Sequence, residues 1–477
     1  MDIKETILKQ EIRLAKPTVT LRHYLAGPIL LLHIFASSMS LNTVGLYVPM
    51  FISKKLYPMR TIPISTGSIC TDNETKASPE SQAIQKEAAE FTIYVALVSG
   101  IPAIVSTLLL GTLSDRFGRI FLFLTPAIGE FINKTVELFC IYYNLDINYI
   151  LIGSTIEGLM GGYLTLMSAS FSYIADITEN NKQRSVAIVF LEMSIGIGVV
   201  VSRFSTGYFI QATDYIWPQL TACCIYALLI LVIVFVLPET RSPKSDNKML
   251  SKTVCFKHLG TTFSFYISKS YKGERWKYNI CMFIFFTTGI NVFGKVAVDT
   301  LYQISQPFCW GSVQVGLYGA LTGLFQNVIC MGMIKVLHLC LSDERVSILG
   351  SFSGIAGFMI TAFASTDLML YVAAIAGGGG VLTLPMVTAI MSRITPQDKQ
   401  GALFGGIAAT ETVCGIVGNL ILNSIYSNTV SLFRGTVYLV MAGFVLISLV
   451  LLVFFTFFSQ KGPSYNKTDQ FQVKEEC

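Results

Sequence analysis

GTLSDRFGRI, residues 111–120, sets two arginines, an aspartate and two glycines directly after an apolar run that begins at Phe91. LSD returns at Leu341–Asp343, followed by Glu344 and Arg345, again after an apolar run. The chain around these charged turns has 477 residues, is 52% hydrophobic and only 13% charged. Soluble domains average about 25% charged residues. The mean hydropathy is +0.60. Runs such as Gly27–Phe51, Phe91–Leu113 and Val430–Phe458 exceed the roughly 20 residues that cross a bilayer. The composition excludes a soluble enzyme or a nucleic-acid-polymer binder and defines a helical membrane protein with several spans.

Twelve spans are predicted, near 28–51, 91–113, 120–144, 149–174, 186–210, 217–237, 278–302, 313–338, 346–365, 367–391, 401–425 and 433–458. The first 22 residues are polar and carry no short apolar core, so a cleaved signal is not expected. With both termini on one side, that side collects 24 of the 34 lysines and arginines, which makes it cytoplasmic. The spans divide into an N-terminal bundle at 28–237 and a C-terminal bundle at 278–458. Between them runs a basic linker, 238–277. Tails occupy 1–27 and 459–477. The long outside loop, 52–90, holds Asn73 in an acceptor sequon for N-glycosylation. The sequons at Asn133 and Asn466 fall in a span and in the inside tail and are set aside. The eleven cysteines lack metal-site spacing.

The two charged turns occupy equivalent places, joining spans 2 and 3 and spans 8 and 9. An aspartate here can face the positive end of a neighbouring helix, and the arginines can pair with carboxylates or lipid phosphates. Gly111, Asp115, Arg116, Gly118 and Arg119, with Asp343 and Arg345 in the second half, are therefore candidate gating residues that join the halves on the cytoplasmic side. The plainer reading is a charged turn that obeys the topology rule.

Gly111, Asp115, Gly118 and Arg119 fit the signature of the major facilitator superfamily. FLEMSIGIG (190–198), PFCWG (307–311), FAST (363–366) and KQGALFGGIA (399–408) resemble solute carrier family 46, which includes the proton-coupled folate transporter and its lysosomal and thymic relatives. The resemblance implies the major facilitator fold: all-α, twelve transmembrane helices in two pseudo-symmetric six-helix halves. It implies that Glu192 matches the carboxylate used in proton coupling, and that Cys70 and Cys309 pair as a disulfide. Val292 stands where the folate member has histidine, and Thr388 where it has arginine. These departures point away from folate as substrate.

Ionisable side chains within spans are costly and normally face a cavity or a partner. Glu192 sits among Met, Ile and Gly in span 5, where burial brings a carboxyl toward neutral titration. Lys295 and Asp299 lie four apart on one face of span 7 and can neutralise each other. Arg203 in span 5 can bind an anion or reach the outside surface. Glu157, Glu411 and His33 each pose the choice between coupling and structural hydrogen bonding. Glu130 and Lys134, with Glu137 one turn on, read as a structural group in a peripheral span 3. The glycines at 377–380 permit close helix approach or bending.

The expected function is secondary active transport of a small organic, anionic or amphipathic solute by alternating access. Reduced folates, antifolate-like conjugates, peptidoglycan fragments and cyclic dinucleotides are the candidates that the resemblance implies. The proton is the expected coupling ion, with no other cofactor. Expected partners are the solute, protons and the lipid bilayer of a plasma or lysosomal membrane. A transport-inactive receptor or scaffold on the same fold is the second class. No HExxH, catalytic His/Asp constellation or nucleotide loop supports an enzyme.

Overall fold

The computed structural model describes residues 21–58, 70, 78–178, 182–240, 275–337, 341–395 and 400–459. Asn73, Asn466 and residues 241–274 of the linker lie outside the described residues, as do the surroundings of Gly111 and the side chains of Asp115 and Arg116. All regular structure among the described residues is helical, and it forms twelve rods. The first half holds α1 (Ala26–Leu56), α2 (Pro79–Phe117), α3 (Arg119–Tyr142), α4a (Ile150–Leu159) with α4b (Gly162–Ile177), α5 (Lys182–Ala212) and α6 (Ile216–Phe235). The second holds α7a (Arg275–Gly294) with α7b (Val296–Ile304), α8 (Ser312–Leu337), α9 (Asp343–Ala362), α10a (Asp367–Gly377) with α10b (Thr383–Ile394), α11 (Gln400–Thr429) and α12 (Thr436–Ser459). By length and composition eight described helices can cross a membrane, or nine when α7a and α7b count as one span bent by 42°.

Local chemistry explains where the rods begin and break. α2 starts well before residue 91, because the Ser78 hydroxyl accepts from the Ser81 amide at 3.2 Å and Pro79 occupies the first turn. Together with the extension of α1 to Leu56, this shortens the loop expected at 52–90. α4 breaks at Gly161 and Gly162, whose φ values of 108° and 66° suit a residue without a side chain. α10 tightens to a 3-10 turn over Gly378–Leu382. There α9 comes so close that a Cβ on Gly357 would lie 2.5 Å from the Gly377 Cα. The glycine run thus gives both close approach and a local change of helix type.

The buried apolar side chains group by face. One cluster draws on both halves, with Leu46, Ile84 and Ile210 from the first and Val298, Trp310 and Leu422 from the second. It lies at the face that carries Cys70 and Cys309, called here the disulfide face. Toward the opposite face, which carries the 118–119 and 342–345 turns, the clusters separate. One is confined to the first half, around Ile29, Leu122 and Leu229. Two are confined to the second, around Ile284 and Val387 and around Val346 and Leu382. The halves therefore meet at the disulfide face and part toward the turn face.

The helix contact at Gly357 sets a stability prediction. Gly357→Leu should force α9 from α10a at a cost of about 1–3 kcal/mol, as overpacking does. Gly443→Leu, with open space around the new Cβ, should be tolerated. Melting of the two variants in detergent checks this: the first loses several degrees relative to the second.

Candidate functional site

Two helix pairs and one covalent link close the disulfide face. α5 packs on α8, where the Ser312 hydroxyl donates to the Gly207 carbonyl at 3.1 Å. α2 packs on α11, where the buried Tyr426 hydroxyl donates to Gln85 Oε1 at 2.6 Å. Cys70 and Cys309 are disulfide-bonded with their Cα atoms 5.6 Å apart, and the bond ties the segment before α2 to the loop before α8. Arg434 braces that loop: its guanidinium lies 5.0 Å from the Tyr302 ring and 5.2 Å from the Phe308 ring, and donates to the carbonyls of Gln306 and Ala364.

Below this closure the seam between the halves carries five of the expected ionisable residues. Glu192 of α5 and Glu411 of α11 stand one on each half, within electrostatic range of each other; Glu192 is exposed rather than buried as expected, and Glu411 is half-buried. Arg203, about three turns along α5 from Glu192, interacts with Asp299 of α7b in the other half. Asp299 also receives the Tyr438 hydroxyl at 2.9 Å and pairs with Lys295 at 3.7 Å. Lys295 and Asp299 are both about one-third exposed. The Arg203 stem runs over Gly319 of α8, where a Cβ would lie 2.8 Å from its Cδ, and its buried Nε has no hydrogen-bond partner. The seam thus offers two cations, a bridging aspartate and a pair of opposed carboxylates.

His33, Glu130, Lys134, Glu137 and Glu157 lie elsewhere, in the interior of the first half. Lys134 sits 3.3 Å from Glu130 and 3.6 Å from Glu137. Ser40 donates to Glu137 at 2.5 Å and Gln219 does so at 2.7 Å. Asn133 donates to Glu157 at 2.5 Å. His33 Nδ1 meets the Tyr226 hydroxyl at 2.9 Å, and its Nε2 lies 3.2 Å from the Tyr163 carbonyl. Glu130, Lys134 and Glu137 are all buried where α3 packs on α1, α4 and α6.

At the turn face, Arg119 and Arg393 pair with carboxylates of their own halves. Arg119 Nε donates to Asp176 at the end of α4b at 2.6 Å, and its Nη1 donates to the Ser114 hydroxyl at 2.8 Å. In the second half Arg393, at the end of α10b, donates to Asp343 at 3.2 Å and to Glu344 at the start of α9. Arg345 is exposed. The two clusters are equivalent in position and reversed in polarity. Gly118, with φ 100°, turns the chain between α2 and α3 and leaves the α3 amides open. Glu239 fills that position: it accepts from the Arg119 amide at 2.7 Å and the Ile120 amide at 3.0 Å.

Glu239, Arg434, Tyr438 and the amides Asn133 and Gln219 escaped the sequence reading. PETR at 238–241, where span 6 ends, was the signal for Glu239, because a carboxylate there can reach a free helix N-terminus. Neutral amides within apolar spans were the signal for Asn133 and Gln219.

Two outcomes test these contacts. Glu239→Ala should cost about 1 kcal/mol, the usual loss for a helix cap, and lower the melting temperature of the purified protein. Tyr426→Phe removes a buried hydrogen bond across the halves, worth about 1 kcal/mol net. Spin labels at Thr213 and Leu432, one on each half, should then report a larger share of long distances at the disulfide face.

Two helical bundles that meet at one face and carry a charged seam between them define a membrane transporter, not an enzyme. The chain belongs to the Major Facilitator Superfamily, whose model matches residues 30–339. Its relatives include members of solute carrier family 46, as the motifs imply. The lysosomal proton-coupled steroid conjugate and bile acid symporter SLC46A3 of Gallus gallus is 27% identical over 431 residues, covering 89% of this chain and 92% of that protein. The proton-coupled folate transporter of Bos taurus is 26% identical over 382 residues, covering 78% and 80%. The human organic anion transporter MFSD10 superposes with a TM-score of 0.63 at 14% identity, covering 91% of this chain and all of that one.

Proposed function

We propose that the chain is a proton-coupled symporter of a small amphipathic organic anion, with Glu192 and Glu411 as the coupling pair. The observation that carries this reading is the placement of those carboxylates, one on each half, within electrostatic range of each other across the seam. Two ionised carboxylates repel and hold apart the helices that bear them; a proton on either lowers that cost and lets the halves approach. Arg203 and Lys295 supply the positive charge for an anion, and Lys295 is paired with Asp299 in its absence. An anion bound at Arg203 would offset its attraction to Asp299 of the other half, which ties substrate binding to the relation between the halves.

The separated turn face and closed disulfide face correspond to one end of an alternating-access cycle, in which the seam opens toward the turn face. The excess of lysine and arginine makes that face cytoplasmic, with both termini on it. The disulfide face then meets the exterior or a lysosomal lumen, where disulfides persist. The related symporters named for steroid conjugates and bile acids support substrates of that kind. The valine at 292 and the threonine at 388 weigh against folate.

Cells displaying the protein at their surface provide the test. Uptake of a labelled steroid sulfate or bile acid should be saturable and faster at about pH 5.5 than at about pH 7.4, since carboxyls protonate as pH falls. Glu192→Gln should keep surface abundance and lose the acid stimulation. Saturable uptake with wild-type pH dependence in that variant would remove Glu192 from the coupling step.

A further inference from the structure

Three carboxylates, Glu130, Glu137 and Glu157, share the interior of the first half with a single lysine. Lys134 is within ion-pair distance of Glu130 and Glu137, at 3.3 and 3.6 Å. Glu157 is left over: its hydrogen bond comes from a neutral amide, Asn133 Nδ2, at 2.5 Å. Yet the charges of Glu130, Glu137 and Lys134 all reach it. The other titratable groups facing the cluster are His33 of α1, Tyr163 of α4b, Tyr226 and Cys223 of α6, and Cys140 of α3. A charged His33 would still leave the group net negative, away from water.

A second observation is independent of that count. The cluster holds more acceptors than donors. Asn133 Oδ1 and Gln219 Oε1 are buried without a hydrogen-bond donor, on side chains 2% and 0% exposed. Unsatisfied buried oxygens are costly, and a proton on a neighbouring carboxyl turns an acceptor into a donor. No group of three or more metal-ligating side chains is present among the described residues, which favours a proton over a metal ion.

We propose that Glu157 carries a bound proton at neutral pH, so that the interior of the first half is a second proton site, separate from Glu192 and Glu411. The protonated carboxyl accepts from Asn133 Nδ2 and supplies the donor its oxygen lacks. A file of hydrogen bonds links the cluster to the break in α4: Glu130 to Ser37 at 3.4 Å, Ser37 to Tyr226 at 2.9 Å, Tyr226 to His33 at 2.9 Å, and His33 to the Tyr163 carbonyl at 3.2 Å.

The test uses the purified full-length protein with Glu192→Gln and Glu411→Gln in place, so that the seam carboxyls and the proposed function do not contribute. At about pH 7.4 its infrared spectrum should contain a protonated-carboxyl band that shifts in deuterium oxide. Adding Glu157→Gln should abolish the band. Because the native proton stabilises the folded state and is lost as pH rises, melting temperature should fall from about pH 6 to about pH 9, and Glu157→Gln should flatten that slope. Glutamine copies the neutral acid, so Glu157→Gln should fold. A missing band in the parent, a band that survives Glu157→Gln, a variant that fails to fold, or melting that follows sodium rather than pH would each overturn the proposal.

Discussion

The apolar cluster shared by both halves at the disulfide face is the constraint on which the arrangement rests. In a bilayer, helices gain little from hiding oil from oil, so their association depends on tight van der Waals packing and on hydrogen bonds. Both are concentrated at this face. Gly207 and Gly316 let α5 and α8 touch backbone to backbone, and Gln85 with Tyr426 joins α2 to α11 in a buried hydrogen bond. The charged seam beneath is held in register by these contacts. Without them, Glu192 and Glu411 would have no reason to remain within reach of each other, and Arg203 would have no fixed relation to Asp299.

The turn face shows the complementary rule. Arg119 joins the start of α3 to Asp176 at the end of α4b, while Asp343 and Glu344 join the start of α9 to Arg393 at the end of α10b. The same contact is made twice with its charges exchanged. Each pairing ties two helices of one half together at that face. A half that moves as one body needs its own cross-ties at the end that swings free. Glu239 adds to this by holding the amide end of α3 against the exit of α6.

Much of this was legible in the residues. Long apolar runs fixed the helices, the repeated charged turn exposed the two halves, and Glu192, Glu411, Arg203, Lys295 and Asp299 stood out because charge in a span needs a reason. The sequence could not divide the ionisable residues between the seam and the interior of one half, since helical spacing says which residues share a face and not which neighbour that face meets. Glu130, Lys134 and Glu137 were read as a structural group on a peripheral span, and the structure adds the neighbours they face, on α1, α4 and α6 of the same half. The charged turns show what position alone leaves out: Arg119 pairs with Asp176, and Asp343 with Arg393, a partner that the repeated motif does not name. Neutral groups such as Asn133 and Gln219 left almost no trace, because an amide in a span matters only through the acid it meets.

The disulfide between Cys70 and Cys309 has a geometric consequence. Cys70 is twelve residues from Pro58, where α1 has ended, and eight from Ser78, where α2 begins. Even the shorter arm can extend to roughly 26 Å at about 3.3 Å per residue. Chain length thus sets an upper limit on how far the bond lets the two rims separate. Its energetic effect falls on the unfolded chain, whose large loop it closes, rather than on the balance between conformations of the folded one. A covalent tie of this kind makes the joined face harder to unravel without adding a noncovalent contact to it.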